Sequence, residues 1–596
     1  MLHHYEWIVV LGSFMAAFAA FGIGANDVAN AFGTSVGSKA ITLTQAVIIA
    51  SIFEMGGAVL LGAHVTDTVV KRIVDIEAFR GEPELLMYGM MCVLFATGVW
   101  LLAASYLELP VSTTHSVIGG IIGMSLTAKG GGAINWSRYE NEREGLKKYT
   151  GMAPVLISWA VSPLFSAGAA VLLFLFVRTL ILRRKNSLQR CLMFFPILVG
   201  LTVAINTYFI IFQGFRNTCL SDCGKNESKK LSAVLGTGYA SLIAWGLGAT
   251  TAALLWYGFV PWLKKRATGI VSERPIPISI SSDQGSDIND EDRLAKARAE
   301  SVASTSRDWE DGGPIADQVA TRAKSSTRQA RNFFDRDIHA VIASDQTVRT
   351  IHNNAEEFAP CTEEAFKYIQ VFTAVCDSFA HGANDVANAV GPFAAIYSLY
   401  KHGEVDEKSD VPLWCLVVGG VGIVVGLATY GFNVIRAISV KLVKVSPSRG
   451  FAIELGAAAV VVLGSRYGIP LSTTHCQVGA TVGVGLMEGG KGVNVVLFMK
   501  VIAGWVLTLA VVGTAAAALF AQGVYAPSIF NLQTIESYQE SVGDFTANAG
   551  RFLKNGSIID ESNELIDKKY DVSGPQIELL QSTTKSLVMH LEECTG

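Results

Sequence analysis

Gly24-Ala25-Asn26-Asp27-Val28-Ala29-Asn30-Ala31 recurs unchanged as Gly382-Ala383-Asn384-Asp385-Val386-Ala387-Asn388-Ala389, at an offset of 358. Both copies lie in runs apolar enough to enter lipid, where one charged aspartate costs about 2.5–3.5 kcal/mol on insertion scales. A duplication kept only for helix packing accounts for the Gly and Ala residues, which let backbones approach closely. It does not account for Asn26, Asp27 and Asn30, so the repeated polar set reads as functional.

The rest of the chain fits a membrane setting. Half of its 596 residues are hydrophobic and 16% are charged, and the mean hydropathy is +0.38. About twelve apolar runs are candidates for crossing about 30 Å of hydrocarbon: 7–23, 41–63, 85–104, 109–128, 152–177, 191–212, 231–260, 366–395, 411–435, 451–463, 469–486 and 495–521. Spans of this length must satisfy their backbone internally and are helices. The run 451–463 is short and is expected to join its successor in a broken helix or re-entrant hairpin. The fold class is therefore an all-α polytopic membrane protein. The N-terminal run lacks a basic leader and reads as a retained first helix rather than a signal peptide.

Four regions are expected: 1–263, a first membrane repeat with additional helices; 264–365, a hydrophilic and disordered linker; 366–521, a second membrane repeat; and 522–596, a polar tail. Lys264-Lys265-Arg266 opens the linker as a cytoplasmic loop should. Counting runs from there puts Arg183, Arg184, Lys185, Arg190, Arg436, Lys441, Lys444 and Arg449 inside and both termini outside. Asn226 and Asn555 head glycan-acceptor tripeptides on the outer side of that count. Cys219 and Cys223 are close enough in sequence to pair if their loop is oxidised. No nucleotide loop, nucleophile elbow, zinc spacing or basic nucleic-acid stripe is present, which leaves neither an enzyme nor a nucleic-acid binder in view.

A second pair repeats in the same order: Pro110-Val111-Ser112-Thr113-Thr114-His115 and Pro470-Leu471-Ser472-Thr473-Thr474-His475, at an offset of 360. Seven runs separate the two Gly-Ala-Asn-Asp copies, so the second is turned over in the membrane. Inverted-topology repeats in transporters place substrate and ion sites near the midplane, where broken helices free backbone groups. Gly24, Gly33, Gly382 and Gly391-Pro392 are expected to interrupt the helices around each copy. Asp27 and Asp385 offer carboxylates, and Asn26, Asn30, Asn384 and Asn388 amide oxygens, to a hard cation such as Na⁺. The hydroxyls of Ser112, Thr113, Thr114, Ser472, Thr473 and Thr474 can each donate to a tetrahedral oxyanion, and a proline before each triplet can start a helix aimed at it. An ion-coupled carrier of a small oxyanion is the function these groups imply.

With these motifs the chain resembles the inorganic phosphate transporter (PiT) family of sodium–phosphate symporters. Phe379-Ala380-His381 before the second copy, and Ser446-Pro447-Ser448-Arg449-Gly450-Phe451 before Glu454, extend the likeness, which covers roughly 5–125 and 366–520. The resemblance implies symport of inorganic phosphate with Na⁺ (H⁺ in some relatives), alternating access, frequent homodimers and no organic cofactor. It implies cation and phosphate ligands at Asp27 and Asp385 with Asn26, Asn30, Asn384 and Asn388. Phosphate contacts fall at Ser112–Thr114 and Ser472–Thr474, and coupling carboxylates at Glu54 and Glu454. The alternatives are a symporter of this architecture for H⁺ or another oxyanion, and a non-transporting phosphate sensor. The plasma membrane is the expected location.

The copies also differ. His381 stands where the first copy has Ile23, and Asp377 where it has Ala19. His381 either donates to phosphate, titrating near neutral pH, or bonds within the bundle. Asp377 is expected to pair with a neighbour or to lie near the cytoplasmic end. His115 and His475 suggest a shared structural bond, and Trp159 and Trp505 a packing or lipid-interface role. His64 has no assigned role.

Overall fold

The computed structural model describes residues 3–62, 73–139, 149–211, 231–273, 337–403, 411–467 and 471–525. The chain divides into two units, 1–522 and 523–596, and the first carries the helical bundle and the site. His64, Cys219, Cys223, Asn226, Asn555 and most of the linker and tail lie outside the described residues.

Thirteen helices among the described residues build the site and its supports. They are α1 (Glu6–Gly37), α2 (Leu43–Leu61), α3 (Pro83–Tyr106), α4 (Thr113–Lys129), α5 (Met152–Leu182), α6 (Ser187–Phe209), α7 (Leu231–Glu273), α8 (Gln346–Asn354), α9 (Pro360–His402), α10 (Leu413–Tyr430), α11 (Pro447–Tyr467), α12 (Thr473–Leu486) and α13 (Val495–Tyr525). The strands among the described residues are one antiparallel pair, Arg138–Tyr139 with Tyr149–Thr150.

Among the described residues, nine helices are long and apolar enough to cross a membrane. Three helices in expected apolar runs fall outside that set for visible reasons. At 17 and 14 residues, α4 and α12 are too short. The 43 residues of α9 are diluted by Asp377, His381, Asn384, Asp385 and Asn388.

Two sequence expectations are overturned here. Neither Gly-Ala-Asn-Asp copy breaks its helix. α1 runs through the first with a π-helical widening at Gly24–Val28, and α9 is unbroken through the second and through Pro392. Gly24 and Gly382 serve close approach instead: a Cβ on Gly24 would stand 1.8 Å from the Ile423 carbonyl oxygen, and one on Gly382 would stand 2.1 Å from that of Glu54. The breaks fall at the Ser-Thr-Thr triplets. The prolines do not start those helices, because Ser112 and Ser472 are extended N-caps and the helices begin at Thr113 and Thr473.

α3 and α4 form a hairpin whose outer ends are joined by a Lys129–Glu82 ion pair. α11 and α12 form another, joined at its base by Arg449–Glu488 at 2.7 Å. The hairpins meet tip to tip: the Thr474 hydroxyl donates to the Val111 carbonyl at 3.4 Å, and the His115 and His475 rings meet edge-on at 4.9 Å. α1 and α9 run antiparallel, since Gly12 faces Phe393 and Ile396 while Ser38 donates to Gln370 at 2.7 Å.

Each returning helix packs on the long helix that follows the opposite hairpin. A Cβ on Gly123 of α4 would reach the Gly513 carbonyl of α13 at 2.0 Å, and one on Gly483 of α12 would reach Ala167 of α5 at 2.9 Å. Gly119 and Gly479, one turn earlier, make matching contacts with Leu509 and Pro163. These four glycines recur at the offset of the Ser-Thr-Thr repeat, so the small-residue spacing that lets membrane helices touch is duplicated with the tips.

The expected linker is shorter than the sequence suggests at both ends. α7 continues to Glu273 and α9 starts at Pro360, because polar residues extend a helix past the membrane face at little cost. Asp345 caps α8 by accepting from Thr347 and Val348, and residues just after α8 dock at the base of the second hairpin. Glu356 accepts from Arg183 at 2.9 Å and pairs with Arg178. Its carbonyl accepts from Arg449 at 2.7 Å. Arg449 is 2% exposed and also faces the rings of Phe358 and Phe174.

Candidate substrate and cation site

Where the hairpin tips meet α1 and α9, the repeated carboxylates are buried. Asp27 Oδ2 accepts from the Thr113 amide at 3.2 Å and from its hydroxyl. Asp27 Oδ1 accepts from the Thr474 hydroxyl and, at 3.5 Å, from Asn30 Nδ2. Asn30 also donates to Thr474 at 3.3 Å, and its Oδ1 has no partner among the described residues. One carboxylate therefore binds both hairpins.

The second copy answers in kind but not identically. Asn388 Nδ2 donates to Thr114 at 3.3 Å, the counterpart of Asn30 on Thr474. Asp385 accepts from Asn384 at 3.2 Å, Asn388 at 3.4 Å and the Thr473 hydroxyl at 3.4 Å. His381 Nε2 lies 2.6 Å from Asp385, at ion-pair distance but off the line of a hydrogen bond. Its Nδ1 lies 3.2 Å from Glu54. His381 thus sits between two carboxylates.

The two equivalent asparagines diverge. Asn26 accepts from the Val111 amide at 2.9 Å and donates to the Leu109 carbonyl at 3.0 Å and Ser105 at 3.1 Å. Its side chain is wholly engaged in holding the first tip. Asn384 instead lines a cavity.

That cavity is walled by α1, α6, α9, α11 and α12. Its polar lining is Asp27, Asn30, Asn206, Asp377, His381, Asn384, Thr473, Thr474 and Gln477. The N-terminus of α12 opens onto it, whereas that of α4 is stoppered by Asp27. Ser112, Thr113 and Thr114 are absent from its lining. The hydroxyls of Ser112 and Ser472 accept from the backbone of His115 and His475 at 3.3 and 3.2 Å, which makes both serines structural caps. Sequence reading missed Asn206 and Gln477. The available signal was an isolated amide inside each apolar run, which by itself marks a functional candidate in lipid.

Glu454 sits apart from the cavity lining, accepting from Thr34, from Ser35 at 2.9 Å and from Gln370 at 3.4 Å, with Oε2 unpartnered among the described residues. Glu54 and Glu454 are both fully buried, yet they are held by different partners. His115 and His475 share ring contact but no hydrogen bond with each other, and the expectation of a shared bond is corrected to an edge-on ring contact. Trp505 stacks on His475 at 3.9 Å and donates to the Pro110 carbonyl at 3.0 Å, while Trp159 packs on His115 at 5.7 Å. Both tryptophans are packing residues of the tips.

Paired helical hairpins that bury two carboxylates, amides and hydroxyls beside a cavity define a multi-pass membrane protein with an internal ion-sized site. The profile of the phosphate transporter family matches residues 23–516. The chain belongs to that family. It is 31% identical to the phosphate-repressible phosphate permease of Neurospora crassa, over 88% of this chain and 99% of that one. It is 28% identical to the sodium-dependent phosphate transporter 1 of Rattus norvegicus, over 86% and 95% of the two chains. A solved structure described as the sodium-dependent phosphate transporter aligns with a TM-score of 0.60 and 27% identity, covering 86% of this chain and 98% of that one.

Proposed function

We propose that this protein is a Na⁺-coupled symporter of inorganic phosphate, built as two inverted repeats that expose one central site alternately to each side. The observation that carries the reading is the exchange of contacts between halves: Asn30 with Thr474, Asn388 with Thr114, and Asp27 with both tips. Any motion of one hairpin against the other must remake these contacts, so site occupancy and access are tied together.

Phosphate occupies the cavity at the N-terminus of α12, where oriented amides and the positive helix end favour an anion. The Thr473 and Thr474 hydroxyls and Asn384 donate to its oxygens. Na⁺ binds at Asp27 with Asn30 and Thr474 oxygens, because Na⁺ prefers hard oxygen ligands and its charge offsets the substrate's. Asp385 and Asn388 form the corresponding second-half position, with His381 supplying positive character in place of a second fixed cation. Glu54 holds His381, and Glu454 holds the cytoplasmic half of α1 through Thr34 and Ser35. The linker, α8 and the cluster of Arg178, Arg183 and Arg449 face the cytoplasm in this arrangement, in line with the positive-inside rule.

The test is uptake of labelled phosphate by proteoliposomes containing the purified protein, with an inward Na⁺ gradient or with choline in its place. Uptake that requires Na⁺ supports the reading. Equal uptake in choline assigns coupling elsewhere, and binding without uptake makes the protein a sensor.

A further inference from the structure

The two halves of the sequence repeat contribute unequally to the cavity, and the inequality has a chemical direction. Gln477 lines it one turn into α12, and its first-half counterpart at the same offset is Val117. Asp377 lines it one turn before His381, and its counterpart is Ala19. Val117 and Ala19 are buried apolar residues, so these two polar groups arise in the second half alone.

The two side chains are also chemically unspent. Gln477 is 5% exposed, and its Nε2 meets no acceptor among the described residues. A buried amide donor is costly to leave unmet and is normally matched by something. The Asp377 carboxylate takes part in no hydrogen bond among the described residues and shares the wall with Asp27 and His381. In the proposed arrangement Asp27 serves a cation. Asp377 has no such assignment, although a carboxylate beside an anion is repulsive unless the anion brings a proton.

We infer that Gln477 and Asp377 are specificity residues for a protonated tetrahedral oxyanion. Gln477 donates its amide N–H to an unprotonated oxygen, and Asp377 accepts the P–OH hydrogen. An ionised carboxylate is acceptor-only. Phosphate or arsenate, which carry at least one O–H at neutral pH, can satisfy it, whereas sulfate places lone pair against lone pair. Asn206, on the non-repeat helix α6, adds a neutral wall group: one of its two N–H donors is committed to the Thr202 carbonyl at 3.0 Å, which leaves the other and the amide oxygen for a ligand. The inference rests on the cavity being the phosphate site.

The experiment is phosphate uptake by proteoliposomes under a Na⁺ gradient, with sulfate as competitor, using the full chain. Gln477→Val, which copies the first half, should raise half-saturating phosphate roughly 5- to 150-fold, the cost of one lost buried hydrogen bond. Gln477→Glu keeps the size but replaces the donor with a like charge and should weaken phosphate further. Asp377→Asn keeps the size and adds a donor, so sulfate should become a competitor. Parental phosphate affinity in both Gln477 variants, or undiminished exclusion of sulfate by Asp377→Asn, overturns the assignment. Thr473→Ala separates the two levels. If it weakens phosphate while the Gln477 and Asp377 variants behave as the parent, only this inference fails. If it too is without effect, the cavity reading fails with it.

Discussion

The two copies of Gly-Ala-Asn-Asp-Val-Ala-Asn-Ala are identical in sequence and occupy different environments. In the first, a π-helical widening carries Asn26 and Asp27 together onto the α3–α4 tip, where they hold the Val111 and Thr113 amides. In the second, the helix is regular, Asp385 is shared with His381, and Asn384 faces the cavity. The first copy closes a helix end and the second leaves one open. A π-helical turn inside an α-helix often marks function, and here it separates a copy that grips its own hairpin from one that leaves room beside it.

The largest break in that comparison is expected at Asp27. Asp27→Asn removes the one carboxylate bonded to both tips, and the half-saturating Na⁺ concentration for uptake should rise by the equivalent of about 1.5–3 kcal/mol or more, the range for hydrogen bonds to a charged group. Asp385→Asn should cost less, because the His381 ring already lies 2.6 Å from that carboxylate. Equal Na⁺ shifts in the two variants would mean the copies work symmetrically.

Crossed packing offers the next test. Gly123→Leu and Gly483→Leu each drive a side chain into the backbone of the opposite half and should each destabilise by about 1–3 kcal/mol, read as thermal unfolding of the detergent-purified protein. A loss at only one of them would show that the duplicated spacing packs in one half alone.

Thr473→Ala and Ser112→Ala sharpen the comparison further. The first should weaken phosphate by about 1–3 kcal/mol, and the second should lower stability by about 1 kcal/mol as a lost helix cap, with phosphate affinity near the parent's. The reverse pattern would move the anion to the first tip.

The smallest effect belongs to the base of the second hairpin. Arg183 and Arg178 hold Glu356 below the ordinary carboxylate value of 4.5, burial opposing them. Burial pushes Glu488 up, but the Glu356 amide and Arg449 outweigh it, so Glu488 too lies below 4.5. Carboxylates depressed in the folded state contribute stability above their unfolded value and lose it as acid reaches the folded one. The protection of α8 amides, their exchange rate relative to an unstructured chain at the same pH, should therefore be constant above about pH 4.5 and fall only below it. Protection already lost near neutral pH would remove these pairs from the docking.

Much of this was legible in the residues. The repeated Asn-Asp pairs and Ser-Thr-Thr triplets stood out because polar groups in lipid need a reason, and the structure gathers both sets at one locus. The location of the helix breaks was not legible: Gly24 and Gly382 look like interrupters, but close neighbours such as Ile423 and Glu54 decide their use. The different duties of Asn26 and Asn384 were equally hidden, since identical octapeptides cannot announce which tip each will meet. Gln477 and Asn206 were overlooked because each is a single amide in an apolar run, and only the packing of α6 against α9 and α11 gives them a shared wall.

Cation and phosphate sites that share the joined tips must be coupled. Phosphate affinity of the purified protein, measured by titration calorimetry across a series of Na⁺ concentrations at constant ionic strength, tests that coupling most directly. Because a bound Na⁺ offsets the anion's charge in the proposed arrangement, phosphate should bind more tightly as Na⁺ rises, and reciprocally, and Asp27→Asn should flatten that dependence. A phosphate affinity indifferent to Na⁺ in the unaltered protein would contradict the account.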